Sequence, residues 1–119
     1  MNKEADCAYD KTKGKVMTTV PDPYEQIYAN SEYMMGAIDE KPATVMINAD
    51  NDVFRTYRGG VISGGCDFNE SKYSSLVFGY DSTSDAPYWM VRMSWGSEWG
   101  EQGNVRIGMA SGVGICGIN

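Results

Sequence analysis

After a polar first quarter, the chain switches period twice. Residues 31–40 place Tyr33, Met34, Met35 and Ile38 at helical spacing, which predicts an amphipathic helix capped by Asn30 or Ser31 and ending near Glu40. A methionine stripe at this spacing reads as core. Beyond Pro42 the period falls to two: Val45, Ile47 and Ala49 alternate with Thr44, Met46 and Asn48, the pattern of a half-buried strand. Asn51 and Asp52 make a turn, residues 53–57 fit one helical turn, and Gly59-Gly60 breaks it. Residues 73–80 and 88–94 read as strands joined by the polar loop 81–87, and residues 104–109 as another. Residues 1–30 carry Pro21 and Pro23 around Asp22 and read as an extended arm with turns, residues 15–20 forming one short strand. The fold class is therefore α+β: a small, mainly antiparallel sheet or barrel with one or two short helices.

Length and composition narrow the function. The 119 residues suit one small domain. There is no histidine, which excludes a Ser-His-Asp triad, a Cys-His pair and histidine-ligated zinc within this chain. A net charge of -6 argues against nucleic acid. Lys3, Lys11, Lys13 and Lys15 are interleaved with Glu4, Asp6 and Asp10, so they read as a solvated ribbon. No apolar run is long enough for a membrane span. The acidic residues show no pair at a motif spacing, and neither a metal site nor a cofactor is indicated. Cys7, Cys66 and Cys116 are too far apart for a CxxC site, and their odd number leaves at least one thiol unpaired within the chain. Asn69-Glu70-Ser71 is a glycosylation sequon, with Asn69 the acceptor.

The segment Ser94-Trp95-Gly96-Ser97-Glu98-Trp99-Gly100-Glu101-Gln102-Gly103 carries the strongest motif. With Tyr88-Trp89-Met90-Val91-Arg92-Met93 before it and Asn104-Val105-Arg106 after it, it resembles "YW-x-V-K-N-SWG-x-x-WG-E-x-G-Y-I-R" of the papain-like cysteine proteases, the cathepsin L and papain group. Gly114-Ile115-Cys116-Gly117-Ile118 resembles the family's "G-x-CGI". Pro42-Ala43-Thr44-Val45-Met46-Ile47-Asn48-Ala49 resembles its "P-V-S-V-A-I-D-A" strand, and Phe54-Arg55-Thr56-Tyr57-Arg58-Gly59-Gly60-Val61 its "F-Q-F-Y-x-S-G-V".

The resemblance implies one lobe, residues 1–119, of a two-lobed fold. The family's first, helical lobe carries the nucleophilic cysteine, and nothing like its "C-G-S-C-W" occurs in these residues. The family's "N-H-A-V-L-x-V-GY" falls on residues 72–80, which puts Tyr73 at the histidine position, while Met93 stands where asparagine precedes Ser94-Trp95. A phenol titrates near ~10 and cannot serve as both base and acid at neutral pH. A thioether cannot donate the hydrogen bond that orients an imidazole. The expectation is a non-catalytic homologue, a pseudoprotease lobe acting as a structural or binding subunit. The alternatives are the heavy chain of a two-chain endopeptidase, or a decoy or inhibitor of such a protease.

The resemblance further implies a Cys66–Cys116 disulfide. Cys7 matches a cysteine whose family partner lies in the first lobe, so it is free or bonded to another chain. Trp95 and Trp99 either pack with Tyr73 and Met93 or, with Tyr73, line a residual peptide groove. The lobe face that meets the helical lobe in the family calls for a protein partner: a first-lobe chain, another subunit or a second copy. Three cysteines in an acidic, glycine- and tyrosine-rich chain suggest a secreted, vesicular or lysosome-like compartment. Family members continue past "CGI", whereas these residues end at Asn119.

Overall fold

Asn30 opens the first helix as its sequence requires, its side-chain oxygen accepting from the Glu32 N–H. In the computed structural model, which describes residues 10, 12–14, 26–28, 30–67 and 73–119, this helix (α1) runs Ser31–Glu40. Met34 and Ile38, four apart, are its buried residues, while Tyr33 lies 62% exposed and leaves the expected stripe. Tyr33 instead tilts against the exposed Tyr28 ring at 5.7 Å. The second helix (α2) is a single turn, Asp52–Arg55, starting one residue earlier than expected because Asn51 caps it by accepting from the Phe54 N–H.

The strands are β1 (Ala43–Ile47), β2 (Val61–Ile62), β3 (Tyr73–Asp81), β4 (Tyr88–Arg92) and β5 (Asn104–Gly108). They form one sheet in the order β1-β3-β4-β5-β2. The β1–β3, β3–β4 and β4–β5 pairs are antiparallel. The two-residue β2 pairs parallel to β5 at the edge. The α+β class holds, but the sheet is open and mixed rather than closed into a barrel. A two-residue strand carries too little alternation to be read from sequence, so β2 was missed, as was the 3-10 turn Ile115–Gly117.

Alternation sorts the sheet into two faces. Ala43, Val45, Ile47, Val77, Trp89, Val91, Val105 and Ile107 point into the core with Phe54 and Met34. Among the strand residues on the outward side, Met46 is 49% exposed and Leu76 and Phe78 are each 40% exposed. The β3–β4 register slips between Val77 and Gly79, the mark of a bulge at Phe78. The disulfide Cys66–Cys116 is formed, with Cα atoms 5.1 Å apart. The Cys116 carbonyl also accepts from the Asn48 N–H, which pins the C-terminal segment beside the end of β1. Among the described residues no helix is long and apolar enough to cross a membrane. Cys7, Asn69, the expected strand at 15–20 and most of the arm lie outside the described residues.

Candidate functional site

The first residue of β3 and the segment leaving β4 converge on one corner of the sheet. Tyr73 pairs with Ile47 of β1, and Met93 follows directly after β4. Met93 donates its N–H to the Gly103 carbonyl at 3.0 Å, so the Trp-Gly loop leaves and returns at one point. Inside that loop the Gly103 N–H reaches the Trp99 carbonyl at 2.8 Å, and the Glu101 N–H the Asn104 carbonyl at 2.9 Å. Gly100 has φ of +56°. A Cβ there would lie 2.7 Å from the Asn104 oxygen and 3.0 Å from the Tyr57 ring, so the second Trp-Gly pair needs its glycine.

The loop presents two tryptophans to the corner. Trp95 meets the Tyr73 ring edge-on at 5.5 Å and 87°, and Trp99 at 4.7 Å and 81°. Trp99 lies parallel to Phe54 at 6.5 Å, tilts against Tyr57 at 5.5 Å, and donates its indole N–H to the Phe54 carbonyl at 3.0 Å. Its polar handle is thus satisfied by α2. Tyr73 is 37% exposed, whereas Met93 is buried. Ser75 is buried too, and its hydroxyl donates to the Met93 sulfur at 3.2 Å. A thioether is a weak acceptor, so this contact satisfies the hydroxyl only partly.

The structure sets Tyr73 against Trp95 and Trp95 against Trp99, while the side chain of Met93, expected beside them, takes its hydrogen bond from Ser75. Sequence reasoning passed over Ser75. The signal was available, because Ser75 occupies an inward position of β3 in phase with Val77, where a hydroxyl must find a buried partner. It also passed over Asp50 and Arg55. These line a hollow of about 330 Å³ together with Ala49, Tyr73, Trp95 and Trp99. Arg55 donates to Asp50 at 2.6 Å and to Asp52 at 3.3 Å. Both carboxylates hold its guanidinium in the charged form, Asp50 most of all.

On the other side of Trp99 a second polar group braces the loop. Arg106 on β5 donates from Nη2 to Glu101 Oε1 at 2.6 Å and from Nε to Oε2 at 3.0 Å. Glu101 also accepts from the Gly60 N–H at 3.0 Å. The Tyr57 hydroxyl donates to the Gly60 carbonyl at 2.6 Å and accepts from the Arg106 N–H at 3.2 Å. The Arg106 guanidinium lies 5.2 Å from the Tyr88 ring centroid. The hydrogen bond from Arg106 holds the Glu101 carboxyl below the usual carboxylate range, and burial pushes the Tyr57 phenol up.

The chain is similar to known proteins. The family model described as papain family cysteine protease matches residues 1–119. Macrodontain-1 of Ananas macrodontes is 41% identical over 98 residues, covering 80% of this chain and 44% of that protein. Cysteine proteinase COT44 of Brassica napus is 34% identical over 128 aligned positions, covering 99% of this chain and 39% of that protein. Among solved structures, the bromelain protease of Ananas comosus in complex with the E64 inhibitor superposes with a TM-score of 0.69 at 38% identity, over 76% of this chain and 42% of that one. The chain spans less than half the length of these relatives. A family match over every residue, a fold shared with bromelain and the Trp-Gly loop braced as described agree: the chain belongs to the papain family of cysteine proteases.

Proposed function

We propose that this chain is a non-catalytic papain-family lobe, acting as a structural or binding subunit rather than as part of a peptidase. One observation carries the reading. Tyr73 occupies the position that the family resemblance gives to the histidine, and none of the 119 residues is histidine. A cysteine protease needs an imidazole to take the thiol proton and return it to the leaving amine. The corner at Tyr73 holds aromatic rings and the Asp50–Arg55 ion pair, and the nearby Ser75 hydroxyl donates to the Met93 thioether. Met93, at the asparagine position, is buried and offers no donor to orient a base.

A protein partner fits this reading. Met46, Leu76 and Phe78 leave apolar surface on the outward face of the sheet. Such a patch favours burial against another lobe, subunit or copy. The disulfide supports an oxidising compartment, secreted or vesicular. A stable monomer at micromolar concentration would count against the partner.

The competing reading is a lobe of an active endopeptidase, favoured by a relative named as a cysteine proteinase at 34% identity. A fluorogenic peptide assay on the full polypeptide, with whatever chain copurifies, separates the two. No turnover sensitive to a thiol-directed epoxide inhibitor is expected. Inhibitor-sensitive turnover that vanishes with Tyr73→Phe would overturn the non-catalytic reading.

A further inference from the structure

We infer that Asn48 presets the pairing of Cys66 with Cys116, and so directs which two of the chain's three cysteines join. Asn48 follows the last residue of β1 and holds both half-cystine segments at once. Its backbone N–H donates to the Cys116 carbonyl at 2.9 Å. Its side-chain amide donates to the Asp67 carbonyl at 3.1 Å and to Asp67 Oδ1 at 2.9 Å, and Asp67 adjoins Cys66. Its own carbonyl accepts from the Asn51 amide at 3.0 Å, and Asn51 caps α2. The anchor itself is fixed, because every residue of β1 pairs with β3.

The contact calls for an amide. Both Asp67 atoms are acceptors, and the asparagine NH2 carries two donors. The family's "P-V-S-V-A-I-D-A" text has aspartate where Asn48 stands, and here that residue would set two carboxylates against each other. The two cysteines lie 50 residues apart in the chain, so closing their bond carries an entropic cost. By tying residues 67 and 116 to one strand end, Asn48 meets part of that cost before sulfur reacts. The disulfide in turn keeps Asp67 beside the amide, so the bond and the clamp are coupled and each strengthens the other. Cys7 offers either sulfur an alternative partner, and the clamp weighs against it. In glutathione buffer the closure is an exchange. One thiolate attacks glutathione disulfide, the second cysteine displaces the mixed disulfide, and two electrons and two protons pass from the cysteine pair to yield two glutathiones.

The test uses the full polypeptide with any copurifying chain. It is equilibrated in graded mixtures of reduced and oxidised glutathione, quenched with acid, alkylated and mapped by mass spectrometry. Asn48→Ala keeps the backbone N–H on Cys116 and removes the amide. It is expected to lower the equilibrium constant for closing Cys66–Cys116 about fivefold, the worth of a partly exposed hydrogen-bonded contact, and to raise the share paired through Cys7. Asn48→Asp should lower the constant further. Adding Asp67→Asn to it exchanges donor for acceptor across the contact and should recover part of the loss. Tyr80→Phe removes a hydrogen bond to Asp39 on α1 and serves as the control for general loosening. Compared at equal unfolding free energy of the reduced proteins, it should stay within about twofold of the wild type. An Asn48→Ala constant inside that same range overturns the inference, and so does an equal fall in Tyr80→Phe. A double variant no better than Asn48→Asp also overturns it, because the amide would then not act through Asp67.

Discussion

Two corners of this lobe share one side chain and differ in almost everything else. On one side of Trp99, Tyr57, Gly60, Glu101 and Arg106 form a polar clasp in which each ion and hydroxyl has a partner. On the other side, Tyr73 meets Trp95 edge-on, and among the described residues the buried Met93 side chain takes one weak polar contact, from Ser75 to sulfur. The clasp is built from residues that follow the family text, Phe54-x-x-Tyr57-x-x-Gly60 and Trp99-Gly100-Glu101-x-Gly103-x-x-Arg106. The apolar corner sets Trp95, which also follows that text, beside Tyr73 and Met93, which depart from it. Polar groups that hold the loop in place are therefore distinct from those that would perform a reaction on it. The first set can persist while the second changes, because the loop's backbone closure runs through Gly103, Trp99 and Glu101 and not through the side chains of Tyr73 or Met93.

Removing the shared side chain should have the largest effect. Trp99→Ala deletes a ring stacked on Phe54, tilted on Tyr57 and edge-on to Trp95, together with an indole hydrogen bond. Burial and aromatic contact together predict a loss of about 3 kcal/mol in denaturant unfolding. A loss below about 1 kcal/mol would show that the two corners stand independently of Trp99.

A smaller effect tests whether the second corner is apolar in substance. Met93→Asn brings an amide into a buried position whose near polar neighbour is the Ser75 hydroxyl, and should cost about 2 kcal/mol. Met93→Leu, which keeps the volume, should cost under about 1.5 kcal/mol. Combining Met93→Asn with Tyr73→His offers the amide a partner, so the double variant should lose less than the sum of the two. If Met93→Asn alone is neutral, the corner has kept polar capacity and the contrast with the clasp weakens.

The clasp and the corner were not equally legible in the sequence. The Trp-Gly spacing marked the loop, and the family resemblance pointed to the Tyr73–Trp95 contact. Helix α1 could be read because Asn30 and the Met34–Ile38 spacing are local signals, and β1 because five residues alternate cleanly. Strand β2 could not be, since its two residues pair parallel with β5 across forty-five positions of chain (Val61 with Arg106). The mixed, open sheet follows from that same pairing, which local periodicity does not encode. Tyr33 kept helical phase yet stays outside, its ring held by Tyr28 rather than by the core. The bracing of Glu101 by Arg106 and Gly60 was hidden for a similar reason. Nothing local ties Gly60 to a carboxylate forty-one residues away.

The finest distinction between the corners is their response to acid. Glu101 is held below the ordinary carboxylate range, first by its hydrogen bond from Arg106 and then by the Gly60 N–H. A carboxyl depressed in the folded state adds stability that is fully present above its unfolded value, near ~4.3, and is lost as pH falls through the folded value. Glu101→Gln should therefore cost about 1 kcal/mol at pH 7, modest because its side chain and that of Arg106 are 33% and 34% exposed and water screens the pair. The cost should shrink steadily below about pH 4.5 as the wild-type carboxyl takes up its proton. Tyr73→Phe, in the other corner, keeps the ring against Trp95 and should leave the acid limb of the stability curve unchanged. Unfolding free energies of the three proteins, measured from pH 7 down to pH 3, give the difference curves. A Glu101→Gln cost that is flat across this range would mean that the Arg106 pair contributes nothing to the folded loop. An acid limb altered by Tyr73→Phe would mean that the apolar corner is coupled to a titrating group after all.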